Sequence, residues 1–326
     1  MVDGSRPWWD AYGDPTLSGL IVQANAANQT IQQAQAQYRQ ARAAADAARA
    51  GFWPTAGVNV SAQRARAKSN GVTGVSNGYA AALDVSWEPD LWGAVRRQVE
   101  ASDASTQASE ASLAAARLSI QAALAQDYLQ LRAVDREKDL YARTLDAYTR
   151  TLKLTQSQYD AGVALRSDVA QAEAQLKTAE AQSIDLDATR SQLEHAIAIL
   201  TGWAPAQFSL PPVPAGQPWM FQVPAVPAGL PSDLLERRPD IAAAERDVAS
   251  ANAGIGVARA AYFPSLVLSA SGGFGAASFA QWFNAPGRVW SLGALLAETV
   301  FDGGLRKARD AQAVAVFDAS AAQYKQ

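Results

Sequence analysis

One change of periodicity is written twice in this 326-residue chain, at an offset of 210 residues. At 48–60, ARAGFWPTAGVNV passes from an alanine- and arginine-rich run through Pro54 into an alternating apolar stretch; at 258–270, ARAAYFPSLVLSA does the same. Arg49, Trp53 and Pro54 are matched by Arg259, Phe263 and Pro264, and farther on Gly93, Arg96 and Arg97 by Gly303, Arg306 and Lys307. A helical period that gives way twice to a period of two calls for a fold in which helices hand over to β-hairpins in two related halves.

After Pro54, Ala56, Val58, Val60 and Ala62 alternate with Thr55, Asn59, Ser61 and Gln63. Residues 68–78, rich in Gly, Asn and Ser, read as a turn. Tyr79, Ala81, Leu83, Val85 and Trp87 then alternate with Ala80, Ala82, Asp84, Ser86 and Glu88, which predicts a hairpin with one apolar face. In the second half Leu266, Leu268 and Ala270 share a face, a Gly-rich turn follows, and VWSLGALLAETVF at 289–301 is the return strand. The first-hairpin strands are about as long as the roughly 9–11 residues a tilted strand needs to cross a bilayer. Tyr79 and Trp87 set an aromatic near each end of the apolar face, as in membrane barrels. A hairpin packed on a soluble core carries the same alternation, so these strands alone do not choose.

Residues 15–50 predict a helix through Leu17, Leu20, Ile21, Ile31 and Ala34. No proline or glycine stands between Gly93 and Gly162, and apolar residues recur there by sevens at Leu124, Leu131, Leu145, Leu152 and Tyr159, with Val134, Tyr141 and Tyr148 as companions. Beyond 160–168 the pattern resumes through Val169, Leu176 and Ile197, interleaved with Ala172, Ala179, Leu186, Leu193 and Leu200. The two arms read as an antiparallel coiled-coil hairpin with its tip near Gly162. Residues 202–231 are dense in proline and read as a surface connection; a helix restarts at Pro239 and Asp240, which suit a first turn. The coiled coil at 95–200 has no counterpart after Arg306, so the chain is expected to be cut short at Gln326, and an export leader to lie outside it.

Several chemistries are set aside. Net charge is −3 with basic residues scattered or paired with acids, so nucleic acid is not an expected partner. No run of about 18 apolar residues offers a transmembrane helix. Cysteine is absent, and the single histidine, His195, has neither a metal-site companion nor a nucleophile to activate. SASGGFGAAS at 269–278 lacks the Lys-Ser/Thr ending of a phosphate loop and reads as a hairpin turn. Asp84 and Glu88 share a strand face and suit polar lining better than acid–base work. No enzyme, cofactor or metal is expected.

Five segments in order, WWDAYGDPTLSGL, YAAALDVSWEPDLWGAVRRQVEAS, YDAGVALRSDVAQAEAQL, GLPSDLLERRPDIAAAE and TVFDGG, make the chain resemble the outer-membrane factors, the TolC- and OprM-like channel proteins of tripartite efflux pumps, in their lipoprotein NodT-type branch. GLPSDLLERRPDI is the most specific of them. The branch's acylated cysteine is not in this chain. The resemblance implies a mainly α fold with membrane β-hairpins: long antiparallel coiled-coil helices plus four transmembrane strands per chain, forming a trimeric β-barrel and α-barrel. The expected segments are an equatorial and helical start at 1–53, a first barrel hairpin at 54–92, a periplasmic coiled-coil hairpin at 93–201, an equatorial linker and second-repeat helix at 202–263, a second barrel hairpin at 264–302 and the start of a second long helix at 303–326. Implied partners are two further copies, a periplasmic adaptor, an inner-membrane pump and outer-membrane lipid. The resemblance places Gly162, Val163, Ala164, Leu165, Arg166, Ser167 and Asp168 at an adaptor-contacting tip. Tyr79, Leu83, Val85 and Trp87 are expected to face lipid, and Asp84, Ser86 and Glu88 the lumen.

The function these readings predict is a passive outer-membrane conduit carrying small molecules from periplasm to exterior. The alternative is a soluble periplasmic coiled-coil adaptor or scaffold whose hairpins pack as ordinary sheets.

Overall fold

The computed structural model describes residues 7–69, 72–214, 224 and 231–326. The chain divides into two compact units, each built from separated stretches: Met1–Ala36 with Leu113–Leu235, and Gln37–Ser112 with Glu236–Gln326.

The first unit is helical. It holds α1 (Pro15–Ala27), the start of α2 (Gln29–Ala50), most of α3 (Ala94–Asp160) and all of α4 (Arg166–Thr201). Asp14 starts α1 by accepting the backbone N–H groups of Thr16 at 2.8 Å and Leu17 at 3.1 Å, with Pro15 in the first turn. The core is the seam that the apolar spacing marks out: Leu17, Ile21, Leu124, Leu131 and Ile197 are fully buried, joined by Tyr128 and Leu210. Ala172, Leu176, Ala179 and Leu186 continue it along α4, while Leu145, Tyr148 and Leu152 on α3 are half-buried and Tyr159 is exposed.

The single helix expected over 15–50 is two. Asn28 breaks it because its side chain serves both directions: Oδ1 accepts from the N–H groups of Thr30 and Ile31 at 2.9 and 3.2 Å, and Nδ2 donates to the Leu200 carbonyl at 2.9 Å. A short amide that bonds the following backbone favours a cap over a helix interior. In the connection after α4, residues 215–223 and 225–230 lie outside the described residues, and a short helix α5 (Pro231–Arg237) follows them.

The second unit carries β1 (Thr55–Ser69), β2 (Val72–Trp87), β3 (Ser265–Ala276) and β4 (Arg288–Ala297) in one antiparallel sheet ordered β1-β2-β3-β4. Its helices are the end of α2, the start of α3, α6 (Pro239–Ala260) and α7 (Leu305–Lys325), and α6 packs on α7. All four helix–strand junctions lie at one end of the sheet, and both hairpin connections at the other.

The strands depart from expectation in extent. Residues 72–78, read as a turn, are strand: Thr73 pairs with Lys68, Val75 with Arg66 and Asn77 with Arg64. Asn70 and Gly71 alone separate the paired Ser69 and Val72, and these two lie outside the described residues. Likewise 271–276 belongs to β3 rather than to a turn, because Ser271, Gly273 and Gly275 pair with Asp84, Ala82 and Ala80. At the helix end the strands stop early. β2 ends at Trp87, leaving Glu88 just beyond it, and β4 ends at Ala297 rather than near Phe301.

Candidate functional site

The register sorts the sheet into two unlike faces. Cross-strand partners share a face, so Val58, Leu83 and Gly272 lie together, as do Ala56, Val85, Ala270 and Leu292, and Trp87, Leu268 and Ala294. Tyr79, Leu83, Val85 and Trp87 therefore occupy one apolar face with Val58, Val60, Trp290 and Leu292. That face is bare: Val58 is 72% exposed and Leu292 75%. Tyr79 sits in an aromatic cluster, 5.9 Å from Phe279 and 5.7 Å from Trp282 between ring centroids. Trp87 donates from Nε1 to the Phe52 carbonyl at 3.0 Å.

Asp84 and Ser86 occupy the other face. Asn59 donates to the Asp84 carboxylate at 2.6 Å, and the Ser271 and Ser291 hydroxyls, on paired residues, meet at 2.9 Å. Glu88 is not brought into this polar row, since it lies past the strand end.

Gly273 fixes how the two hairpins meet. A Cβ there would stand 2.1 Å from the Ala81 carbonyl oxygen and 2.6 Å from the Ala82 Cα, both backbone atoms of β2. Only glycine allows this approach.

At the helix end each hairpin leaves the sheet through the same device. Asp90 accepts the N–H groups of Val95 and Arg96 at 3.0 Å each and the Arg96 guanidinium at 3.1 Å. Asp302 accepts the N–H groups of Gly304 at 2.9 Å and Arg306 at 3.1 Å, and the Arg306 guanidinium at 2.7 Å. Partial burial pushes the Asp90 carboxyl up, but the Arg96 and Val95 N–H groups and the Arg96 charge outweigh it and hold it below the ordinary carboxylate value. Asp302 is likewise held down, chiefly by the Arg306 side chain and its N–H. The repeated arginines before the strands also act alike, Arg49 pairing with Asp103 at 2.6 Å and Arg259 with Asp310 at 3.3 Å.

In the first unit, α3 and α4 are joined at Ala161–Leu165 by a tight reversal. Gly162 takes φ +77, its N–H reaches the Tyr159 carbonyl at 2.9 Å, and the Val163 N–H reaches the Gln158 carbonyl at 2.9 Å. This Schellman pattern needs a left-handed residue at Gly162. Asp168 then starts α4 by accepting the Leu165 N–H at 3.0 Å. Val163 and Leu165 are left 80% and 70% exposed. Ala164 is half-buried, and Arg166 and Ser167 are exposed on the first turn of α4.

A buried ionic cluster in the same unit escaped the sequence reading. Asp135 on α3 accepts from Arg190 on α4 at 2.8 Å and from Arg132 at 3.2 Å. Arg190 also binds Glu194 at 2.9 Å and the Leu210 carbonyl at 2.7 Å, and Arg132 binds the Pro211 carbonyl at 2.7 Å. The cluster pins the connection after α4 to the helix pair. His195 is exposed, and among the described residues no group of three or more His, Asp or Glu side chains is gathered as for a metal. No helix among them is long and apolar enough to cross a membrane.

Comparison with known proteins matches residues 20–203 and 230–326 to the outer membrane efflux protein family. The pyoverdine export outer membrane protein OpmQ of Pseudomonas aeruginosa is 33% identical over 315 residues, covering 94% of this chain and 65% of OpmQ. Nodulation protein T of Rhizobium leguminosarum bv. trifolii is 32% identical over 306 residues, covering 91% of this chain and 64% of that protein. The solved outer-membrane channel OprN superposes with a TM-score of 0.91 at 36% identity, covering 98% of this chain and 72% of the OprN chain. The chain thus spans just under two thirds of the length of these two sequence relatives. Two helix-to-hairpin halves, a bare apolar sheet face and matches over nearly the whole sequence agree: the chain belongs to the outer membrane efflux protein family.

Proposed function

We propose that this chain is one subunit of a passive outer-membrane export channel, carrying small molecules from the periplasm to the exterior. The observation that carries the reading is a four-stranded sheet with β1 and β4 unpaired at its edges and an apolar band across one face. In hydrocarbon each unpaired N–H or C=O costs several kcal/mol, so further copies must satisfy the edges. Three copies supply twelve strands, with Tyr79, Leu83, Val85 and Trp87 toward lipid and Asp84 and Ser86 toward the lumen. Glu88 then sits at the lumen's periplasmic rim. A soluble adaptor or scaffold would instead cover Val58 and Leu292 with its own chain, and both are bare.

In this reading the α3–α4 hairpin stands in the periplasm, and residues Gly162 to Asp168 meet an adaptor through Val163 and Leu165. The adaptor links the channel to an inner-membrane pump that supplies the energy. The cargo class follows the pyoverdine export for which OpmQ is named.

The absence of cysteine gives a clean test. With Val60→Cys on β1 and Leu292→Cys on β4, a flexible bis-maleimide should join copies in membranes into products ending at three subunits. A soluble monomer that never cross-links would overturn the channel.

A further inference from the structure

Beyond the apolar band, the same sheet face changes character within one step. Ala62 pairs with Tyr79, and the next positions of β1 on that face are Arg64, Arg66 and Lys68, paired with Asn77, Val75 and Thr73. With about 3.4 Å per residue, the three cations span roughly 14 Å of strand. They lie at the end remote from the helices, next to the aromatic cluster of Tyr79, Phe279 and Trp282. All three are exposed. None makes a side-chain hydrogen bond or ion pair to a described residue. The four strands contain a single acid, Asp84, which lies on the opposite face with Asn59.

Three closely spaced cations without counter-charge repel one another, and an anion that bridges them removes that cost. Guanidinium forks match phosphate oxygens two at a time. The row is open and flat, so it cannot enclose a free ion. Directly below it, however, Val58, Val60 and Leu83 offer a surface for acyl chains. A molecule with both a phosphate head and apolar tails is held at both ends.

We infer that Arg64, Arg66 and Lys68 form a docking row for phosphate-bearing anionic lipids of the outer leaflet. The inference rests on the sheet spanning the membrane as proposed above. Each basic side chain near a charged surface adds about a factor of five, so the row of three favours such a lipid on the order of a hundredfold over a zwitterionic one.

The test uses the full chain and the R64Q/R66Q/K68Q variant, with Arg143→Gln/Arg150→Gln/Lys153→Gln on α3 as an equal charge loss elsewhere. Each is reconstituted in phosphatidylcholine vesicles with and without diphosphoryl lipid A, and lipid retained on the re-extracted protein is counted by native mass spectrometry. The expected result is equal insertion of all three proteins into phosphatidylcholine. Lipid A should be retained by the native chain and the α3 variant, with half-saturation raised on the order of a hundredfold in the sheet variant. Inorganic phosphate as competitor should not displace it. Equal retention by the sheet variant, or displacement by free phosphate, would overturn the docking row while leaving the membrane sheet intact. Failure of all three proteins to insert into any vesicle would overturn the membrane sheet and the row with it.

Discussion

Asp135 on α3 receives the Arg190 guanidinium from α4 at 2.8 Å, with its own side chain only 1% exposed. A carboxylate so enclosed is held by its partners, and removing it leaves Arg132 without a carboxylate partner and Arg190 with Glu194 alone. Asp135→Ala is expected to cost about 3–5 kcal/mol of unfolding free energy. Asp146→Ala, which breaks an exposed pair with Arg150, is expected to cost less than about 1 kcal/mol. Denaturation of the detergent-solubilised protein followed by circular dichroism compares the two; equal midpoints would show that the cluster does not anchor the helix pair.

The contact of Gly273 with β2 is equally specific. Among the described residues β2 and β3 are the strands that join the two hairpins, and no side chain fits between Gly273 and the Ala81 carbonyl. Gly273→Val is expected to part the hairpins at a cost of at least 1–3 kcal/mol, roughly the scale of overpacking. Gly275→Ala has open space and should be nearly silent. Heat-modifiable migration on gels reports sheet formation, and a native-like pattern for Gly273→Val would refute the close approach.

The sheet's two faces and the coiled coil were legible because each is a local period: Val58 and Val60 alternate with Asn59 and Ser61, and Leu124 and Leu131 are one heptad apart. The extent of the strands was not. Gly74, Ser76 and Gly78 have turn-like composition, yet they pair with Ala67, Ala65 and Gln63, because a strand can be held by its neighbour against its own propensity. The Asn70-Gly71 dipeptide, strongly favoured between hairpin strands, was the available signal. The ionic cluster was invisible for a different reason. Asp135 and Arg190 are 55 residues apart and each reads alone as a solvated helix charge; only the pairing of α3 with α4 buries them together. Gly162, by contrast, announced the tip, since a reversal between two helices needs the φ of +77 that it adopts.

Leu83 and Ser86 lie on opposite faces of β2, half a band height apart at most. If the apolar face meets lipid, Leu83→Arg should cost about 2–4 kcal/mol of membrane-inserted stability, while Ser86→Arg on the polar face should cost little. The fraction of protein that resists urea extraction from membranes measures this. Equal losses at the two positions would contradict the assignment of faces.

Asp90 and Asp302 make the two strand-to-helix junctions sensitive to acid. Both carboxyls are held below their ordinary value in the folded chain by N–H groups and by Arg96 or Arg306. A depressed folded-state pKa means the unfolded chain takes up the proton first. The stabilisation is therefore complete above about pH 4, the unfolded carboxylate value, and is lost as pH falls through the lower folded values. Asn at both positions keeps an oxygen to cap the first turns of α3 and α7 but carries no charge for the arginines. The D90N/D302N variant should melt below the native chain at pH 7, with the gap closing as pH is lowered through the window under 4. Thermal melts in detergent across that range decide it, and a gap that persists unchanged at low pH would show that the two aspartates act as neutral caps alone.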